Sequence, residues 1–222
     1  MSVVLVTGTD TDVGKTIVTA AIAATLQSRG SSSVVYKPTQ TGVVDDEHGD
    51  VAVIEQLAGV PGYDGVRLQA AMAPRPAAAL EDASLPALGD HVAQVRRLQE
   101  SFDVVLVEGA GGVLVELTEA GDTIATLARE LDAPAVVVVR SALGTLNHTA
   151  LTLEALQRRG VRPLGVVIGS WPVAPDFVEM SNRADFEAGA VTLLGAIPAG
   201  AGLLSRDKFV AGAPGWLAGL PR

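Results

Sequence analysis

The stretch VTGTDTDVGKTI, residues 6–17, decides the fold class. Val3 to Val6 read as a short buried strand, Gly8 opens a loop, and Gly14-Lys15-Thr16 leads into a helical pattern over 15–29. A strand, a glycine loop and a helix N-terminus together offer bare N–H groups and a lysine to an anion, with a hydroxyl at Thr16 beside any bound cation. Such a loop cradles nucleotide phosphates. Gly8 and Gly14 stand one residue further apart than the strict G-x-x-x-x-G-K-T spacing allows. Asp10 and Asp12, inside that loop, have the wrong sign for a phosphate site and need a reason.

Beyond this loop, apolar β-branched runs recur at 3–6, 34–36, 104–107, 135–139, 164–168 and 191–194. Apolarity that is continuous rather than alternating marks strands buried on both faces, as in a parallel sheet. Helical patterns lie between them at 15–29, 50–58, 89–101, 123–131, 145–159 and 176–188. The alternation predicts an α/β single domain over 1–222, with a mostly parallel central sheet and helices on both faces. The stretch 61–86, rich in Ala, Pro and Gly, reads as an irregular surface excursion. No internal repeat or linker divides the chain, and no charge run exceeds Asp45-Asp46-Glu47.

Composition excludes several partners. With 222 residues, 48% of them hydrophobic, the chain can bury a full core. A net charge of −9 argues against nucleic acid and anionic membranes. The lack of Cys removes disulfides, thiolate metal sites and Cys nucleophiles, and fits a reducing compartment. MSVVLVTG has no basic leader, and the apolar run 133–139 is too short to span a bilayer. The expectation is a soluble, cytoplasmic protein. His48, His91 and His148 stand in unrelated contexts, so no metal cluster or Ser/His/Asp arrangement is expected. Arg96-Arg97 and Arg158-Arg159 read as solvated charges near helix ends.

In parallel sheets ligands bind beyond the carboxyl ends of the strands. Only three lysines stand against thirteen arginines, and two of the three follow strands. One is Lys15. The other, Lys37 in SVVYKPTQTG, is expected to end its strand, with Pro38 enforcing an extended exit; a plain surface lysine is the other reading. In FDVVLVEGAGG, Glu108 ends an apolar strand where a metal-side carboxylate would sit, and Gly109, Gly111 and Gly112 permit close backbone approach. In RSALGTLNHT, Thr145 reads as an N-cap, leaving the N–H groups of Leu146 and Asn147 to an anion or to the cap alone.

Four motifs in this order, GTDTDVGKT (8–16), YKPTQTG (36–42), VEGAGG (107–112) and LGTLNHT (143–149), resemble dethiobiotin synthetases over nearly the whole chain. The long phosphate loop is itself a feature of that family. The resemblance implies a homodimeric P-loop enzyme that closes 7,8-diaminopelargonate and CO₂ into a cyclic urea with ATP and Mg²⁺. It implies nucleotide contacts from Asp12, Val13, Gly14, Lys15, Thr16, Ile17, Glu108, Gly109, Ala110 and Gly111, and, around the base, from Gly169, Ser170, Ile197, Pro198 and Ala199. Lys15 and Lys37 would neutralise carbamate and γ-phosphate as the catalytic pair. Thr16, Asp50 and Glu108 would hold Mg²⁺, with Asp45 and Asp46 as rivals to Asp50. Thr11, Lys37 and Thr41 would touch the carbamate or the amines. Gly144, Thr145, Leu146 and Asn147 would grip the distant carboxylate from the opposite subunit. Asp10 and Asp12 would steer the amines towards the phosphates, or one of them would order a metal-bound water, or both would merely cap and shape the long turn.

One departure stands out. The family pattern follows the fifth strand with an Asn that reads the adenine edge, whereas this sequence has Gly169-Ser170-Trp171-Pro172. Ser170 implies a permissive base site open to other nucleoside triphosphates, and Trp171 either stacks on the base or packs in the core. The competing class is a nucleotide-switch ATPase of the partitioning or septum-positioning type, which usually carries a second lysine early in the loop. Thr9, Asp10 and Thr11 occupy that region here. A corrinoid amidase would need a Cys nucleophile, and none exists.

Overall fold

The chain is described from a computed structural model covering residues 2–44 and 49–221. Asp45, Asp46 and His48 lie outside the described residues. The elements run β1 Val3–Gly8, α1 Lys15–Ser28, β2 Ser33–Gln40, α2 Asp50–Ala58, β3 Gly62–Arg67, α3 Pro74–Leu80, α4 Leu88–Gln99 and β4 Val104–Gly112. They continue with α5 Ile124–Glu130, β5 Ala135–Val139, α6 Thr145–Arg158, β6 Pro163–Trp171, α7 Phe177–Ala188, β7 Leu193–Pro198, a 3-10 turn Ala201–Leu203 and α8 Arg206–Trp216. The strand order is β3-β2-β4-β1-β5-β6-β7, and every pairing is parallel.

The continuous apolar runs have the cause the sequence suggests. Within β1, Val4 and Val6 face one core while Val3 and Leu5 face the other. The same division recurs in β4, with Leu106 on the first side and Val105 and Val107 on the second. Helices α1, α2 and α8 cover the first face, and α4 to α7 the second. Helix α1 is buried nearly all round, which suits its run of alanines, and the Thr19 and Thr25 hydroxyls donate to carbonyls of Lys15 and Ala21 one turn back.

Three local expectations change. The stretch 61–86 is not irregular: it contains the edge strand β3 and helix α3, whose Ala77 and Ala78 form a small core with Leu68 and Leu85. Gly65 is required there, because a Cβ would run into the Pro38 carbonyl of the neighbouring strand. Strand β2 does not end at Lys37 but continues to Gln40. Its pairing with β4 stops at Tyr36–Val107, and the following residues, Pro38 among them, run on beside β3. Helix α8, with Phe209 and Ala213 fully buried against α1, went unread in the sequence.

Candidate active site

The separation of β2 from β4 after Tyr36 makes the site. It lets the Lys37 side chain reach across to β4 instead of a backbone ladder bond forming there. Lys37 Nζ lies 2.6 Å from Asp50 Oδ2 and 2.9 Å from Glu108 Oε1, and donates to the Gly109 carbonyl at 3.1 Å. Thr16 donates to Glu108 Oε1 at 3.1 Å. Asp50 is the first residue of α2, and its N–H donates to Gln40 Oε1 at 2.8 Å, so the end of β2 fixes where this carboxylate starts. Glu108 is wholly buried, and its Oε2 has no hydrogen-bond partner.

Charge is balanced tightly here. Burial works against the Lys37 ammonium, but the carboxylates of Glu108 and Asp50 outweigh it and hold its pKa above the usual lysine value. Burial would raise Asp50, but the Lys37 charge and the Lys37 hydrogen bond hold it below the usual carboxylate range. Burial, and then the nearby Lys37 ammonium, lower Lys15.

The phosphate loop stands beside this cluster. Gly14 takes a left-handed φ of 95° and no side chain caps α1, so the first N–H groups of that helix face the loop. Lys15 Nζ folds back to the Asp10 carbonyl at 2.8 Å. The two acids of the loop divide. Asp10 accepts the Thr11 N–H at 2.7 Å and pairs with Arg140 at 3.3 Å, which is the shaping reading. Asp12, at φ 57°, lines the cavity.

That cavity holds about 740 Å³. It brings together Thr11, Asp12, Gly14, Lys15, Thr16, Ile17, Lys37, Thr41, Asp50, Glu108, Ala110 and Gly111 of the expected residues. Its far wall is Ala71 to Pro74, from the stretch expected to be irregular, together with Thr39 and Gln40. Thr39 offers a buried, unpartnered hydroxyl. These were missed because a Thr, Gln or Met outside a motif carries no spacing signal, and because β2 was expected to end at Lys37, before Thr39 and Gln40. Among the described residues no three His, Cys, Asp or Glu side chains cluster as a metal site, and His91 is buried against Tyr36 instead.

The remaining expected residues sit elsewhere. Gly169 on β6 abuts the phosphate loop: a Cβ there would strike the Val13 carbonyl. Ser170 next to it is exposed, as are Pro198 and Ala199, while the Ile197 side chain is buried. Trp171 is half-buried, under the Arg183 guanidinium at 5.1 Å from the ring centre, so the core reading holds only for one part of it. Gly144, with φ 91°, is the N-cap of α6, not Thr145, whose hydroxyl donates to the Arg140 carbonyl at 2.8 Å. Gly144, Leu146 and Asn147 are exposed, and residues 144–147 do not line the cavity of Lys37.

The family profile described as an AAA domain matches residues 2–205. The ATP-dependent dethiobiotin synthetase BioD of Streptomyces avermitilis is 51% identical over 98% of this chain and 92% of its own. That of Rhodococcus erythropolis is 50% identical over 100% and 99%. The chain belongs to the dethiobiotin synthetase family. As a dethiobiotin synthetase-family chain it is an ATP-dependent enzyme of the ligase type. Among solved structures, the septum site-determining protein MinD of Pyrococcus horikoshii, complexed with Mg-ADP, matches with a TM-score of 0.56. It is 18% identical, over 99% of this chain and 86% of that one, a likeness of fold alone. The switch-ATPase alternative therefore rests on the shared P-loop fold, and the dethiobiotin synthetase reading on sequence as well. No helix among the described residues is long and apolar enough to cross a membrane.

Proposed function

We propose that this chain, as one domain over residues 1–222 in the cytoplasm, closes 7,8-diaminopelargonate and CO₂ into dethiobiotin while ATP becomes ADP and phosphate. The observation that carries this reading is the meeting of Lys15 and Thr16 with Lys37, Asp50 and Glu108 in one 740 Å³ cavity. One amine of the substrate takes up CO₂ as a carbamate. A carbamate oxygen attacks the γ-phosphorus of ATP, the second amine attacks the resulting mixed anhydride, and phosphate leaves as the ring closes. Such a sequence needs positioning and charge neutralisation more than a protein nucleophile.

Lys15 and Lys37 neutralise the carbamate and the transferred phosphoryl group. Thr11 and Thr41 hold the carbamate end, and Asp12 faces the incoming amines. Gly169, Ser170 and Ile197 to Ala199 wall the base. The oxygen donors Thr16, Asp50 and Glu108 suit Mg²⁺, and the unpartnered Glu108 Oε2 is a lone pair that such an ion would satisfy. When bound, Mg²⁺ would supply charge neutralisation to the phosphates, held by these three side chains. Residues 144–147 act in the partner's cavity of a homodimer. The exposure of Gly144, Leu146 and Asn147 supports this, as does that of the adjoining Leu143.

The test is phosphate release by purified protein with ATP, Mg²⁺ and bicarbonate, with and without the diamine. Release is expected only with the diamine. Release that ignores the diamine would sink the ligase reading and favour a nucleotide switch.

A further inference from the structure

The carboxylates assigned above to the metal already hold a cation of the chain's own. Lys37 Nζ lies at bonding distance from one oxygen of Asp50, one of Glu108 and the Gly109 carbonyl, a three-oxygen seat inside the protein. Lys15 stands nearby, and among the described residues its ammonium donates to a backbone carbonyl, that of Asp10. Two carboxylates and two ammoniums thus cancel. A divalent ion entering alone would meet the Lys37 charge at contact distance and leave the cluster with a surplus of two positive charges. Such crowding of like charges at contact distance away from bulk water is unfavourable. Phosphates arriving together with the ion would remove that surplus and give both lysines a new partner.

We propose that Lys37 is a placeholder for the divalent cation: it keeps Asp50 and Glu108 paired while the nucleotide is absent, and yields its seat only when metal and phosphates arrive together. The inference rests on the metal assignment in the proposed function. It goes beyond it in giving Lys37 a role before any substrate is bound. Bare metal is thereby kept out of the site. The same displacement frees the Lys37 ammonium to face the cavity at the moment a phosphoryl group is there to be neutralised. Gln40 assists, because its bond to the Asp50 N–H prevents that carboxylate from following Lys37 away.

The experiment is Mn²⁺ binding to the full-length protein without nucleotide, followed by electron paramagnetic resonance, for wild type, Lys37→Met and Lys37→Arg. Lys37→Met is expected to bind Mn²⁺ about tenfold or more tightly than wild type, since one like charge has gone from the site. Lys37→Arg should stay as weak as wild type. Adding ADP should shrink the gap between wild type and Lys37→Met. If Lys37→Met is unfolded alone, it should fold when Mn²⁺ is added, because the ion replaces the lost countercharge. Equal Mn²⁺ affinity in wild type and Lys37→Met, or no rescue by Mn²⁺ of an unfolded variant, overturns the placeholder. Glu108→Gln with ADP separates the two readings. If it holds Mn²⁺ as well as wild type does, the metal assignment itself is wrong.

Discussion

At the scale of single residues, Lys37 concentrates the most consequence. A buried ammonium with two carboxylates is costly to leave half-paired, so its removal disturbs both resting and reacting states. In the proposed reaction it meets charge that develops in the transition state. Lys37→Gln should therefore lower kcat by ~10²–10³, the loss typical of one preorganised donor, and change nucleotide affinity much less. Steady-state kinetics within a few-fold of wild type would reduce Lys37 to a structural lysine. His91 offers a second test. Its Nδ1 shares a 2.7 Å hydrogen bond with the Tyr36 hydroxyl, its Nε2 is buried without a partner, and burial lowers its pKa below 6.5. Burial, then Asp90, pushes Tyr36 up to about 12, so that hydroxyl keeps its proton. Because the folded-state pKa of His91 is depressed, the unfolded chain protonates first as pH falls. Its contribution is full above the unfolded value and is lost below about pH 6.5. The melting temperature of wild type should fall more steeply between about pH 7 and 5.5 than that of His91→Gln. Parallel curves would show that His91 does not titrate with unfolding. The sequence made Lys15 and Glu108 legible, since Gly14-Lys15-Thr16 and a Glu closing an apolar run have spacing that chemistry explains, although β4 runs on past Glu108 to Gly112 instead of ending there. It hid Gln40 and Thr39, whose role comes from where β2 leaves β4.

Among the elements, strands were readable wherever both faces are buried, as in β1, β4 and β5. Strand β3 was not. Its Gly62, Asp64 and Gly65 weaken β-propensity, and as an edge strand it is only half-buried. Helix α8 was hidden by Gly212, Pro214 and Gly215, which read as breakers although Phe209 and Ala213 dock it on α1. The end of β6 carries a prediction that sequence and structure make together. Ser170 is exposed beside the phosphate loop, and a hydroxyl can rotate to donate or accept, so it suits adenine and cytosine alike. An amide matched to one base contributes ~1–3 kcal/mol of discrimination. Without it, CTP, GTP or ITP should support turnover within ~100-fold of ATP, below the top of that range. The check is kcat/KM for each triphosphate at fixed free Mg²⁺ and saturating diamine. A loss beyond a thousand-fold for every base but adenine would mean that main-chain groups near Pro198 and Ala199 read the base.

For the whole molecule, the proposed dimer is the part most open to measurement. A carboxylate gripped at the α6 N-terminus with one side-chain donor gains ~1.5–3 kcal/mol from its charge-assisted bond. Asn147→Ala should raise the apparent KM for the diamine ~10–100-fold, at ~1.4 kcal/mol per decade, and leave that for nucleotide nearly unchanged. Specific activity should fall as dilution separates the subunits, and a fully active monomer would refute the shared site. The strand order has a consequence of another kind, for how the chain is made. Strand β1 leaves the ribosome before the other described strands, yet both its neighbours, β4 and β5, lie beyond residue 103. Parallel pairings between distant segments form late, because loop closure must precede them. A nascent chain stalled before Val104 would carry both lysines of the site without Glu108, and an apolar β1 with two bare edges, the kind of segment that sticks to others of its kind. The strand that holds the phosphate loop at the centre of the finished sheet is thus the one that waits longest for company during synthesis.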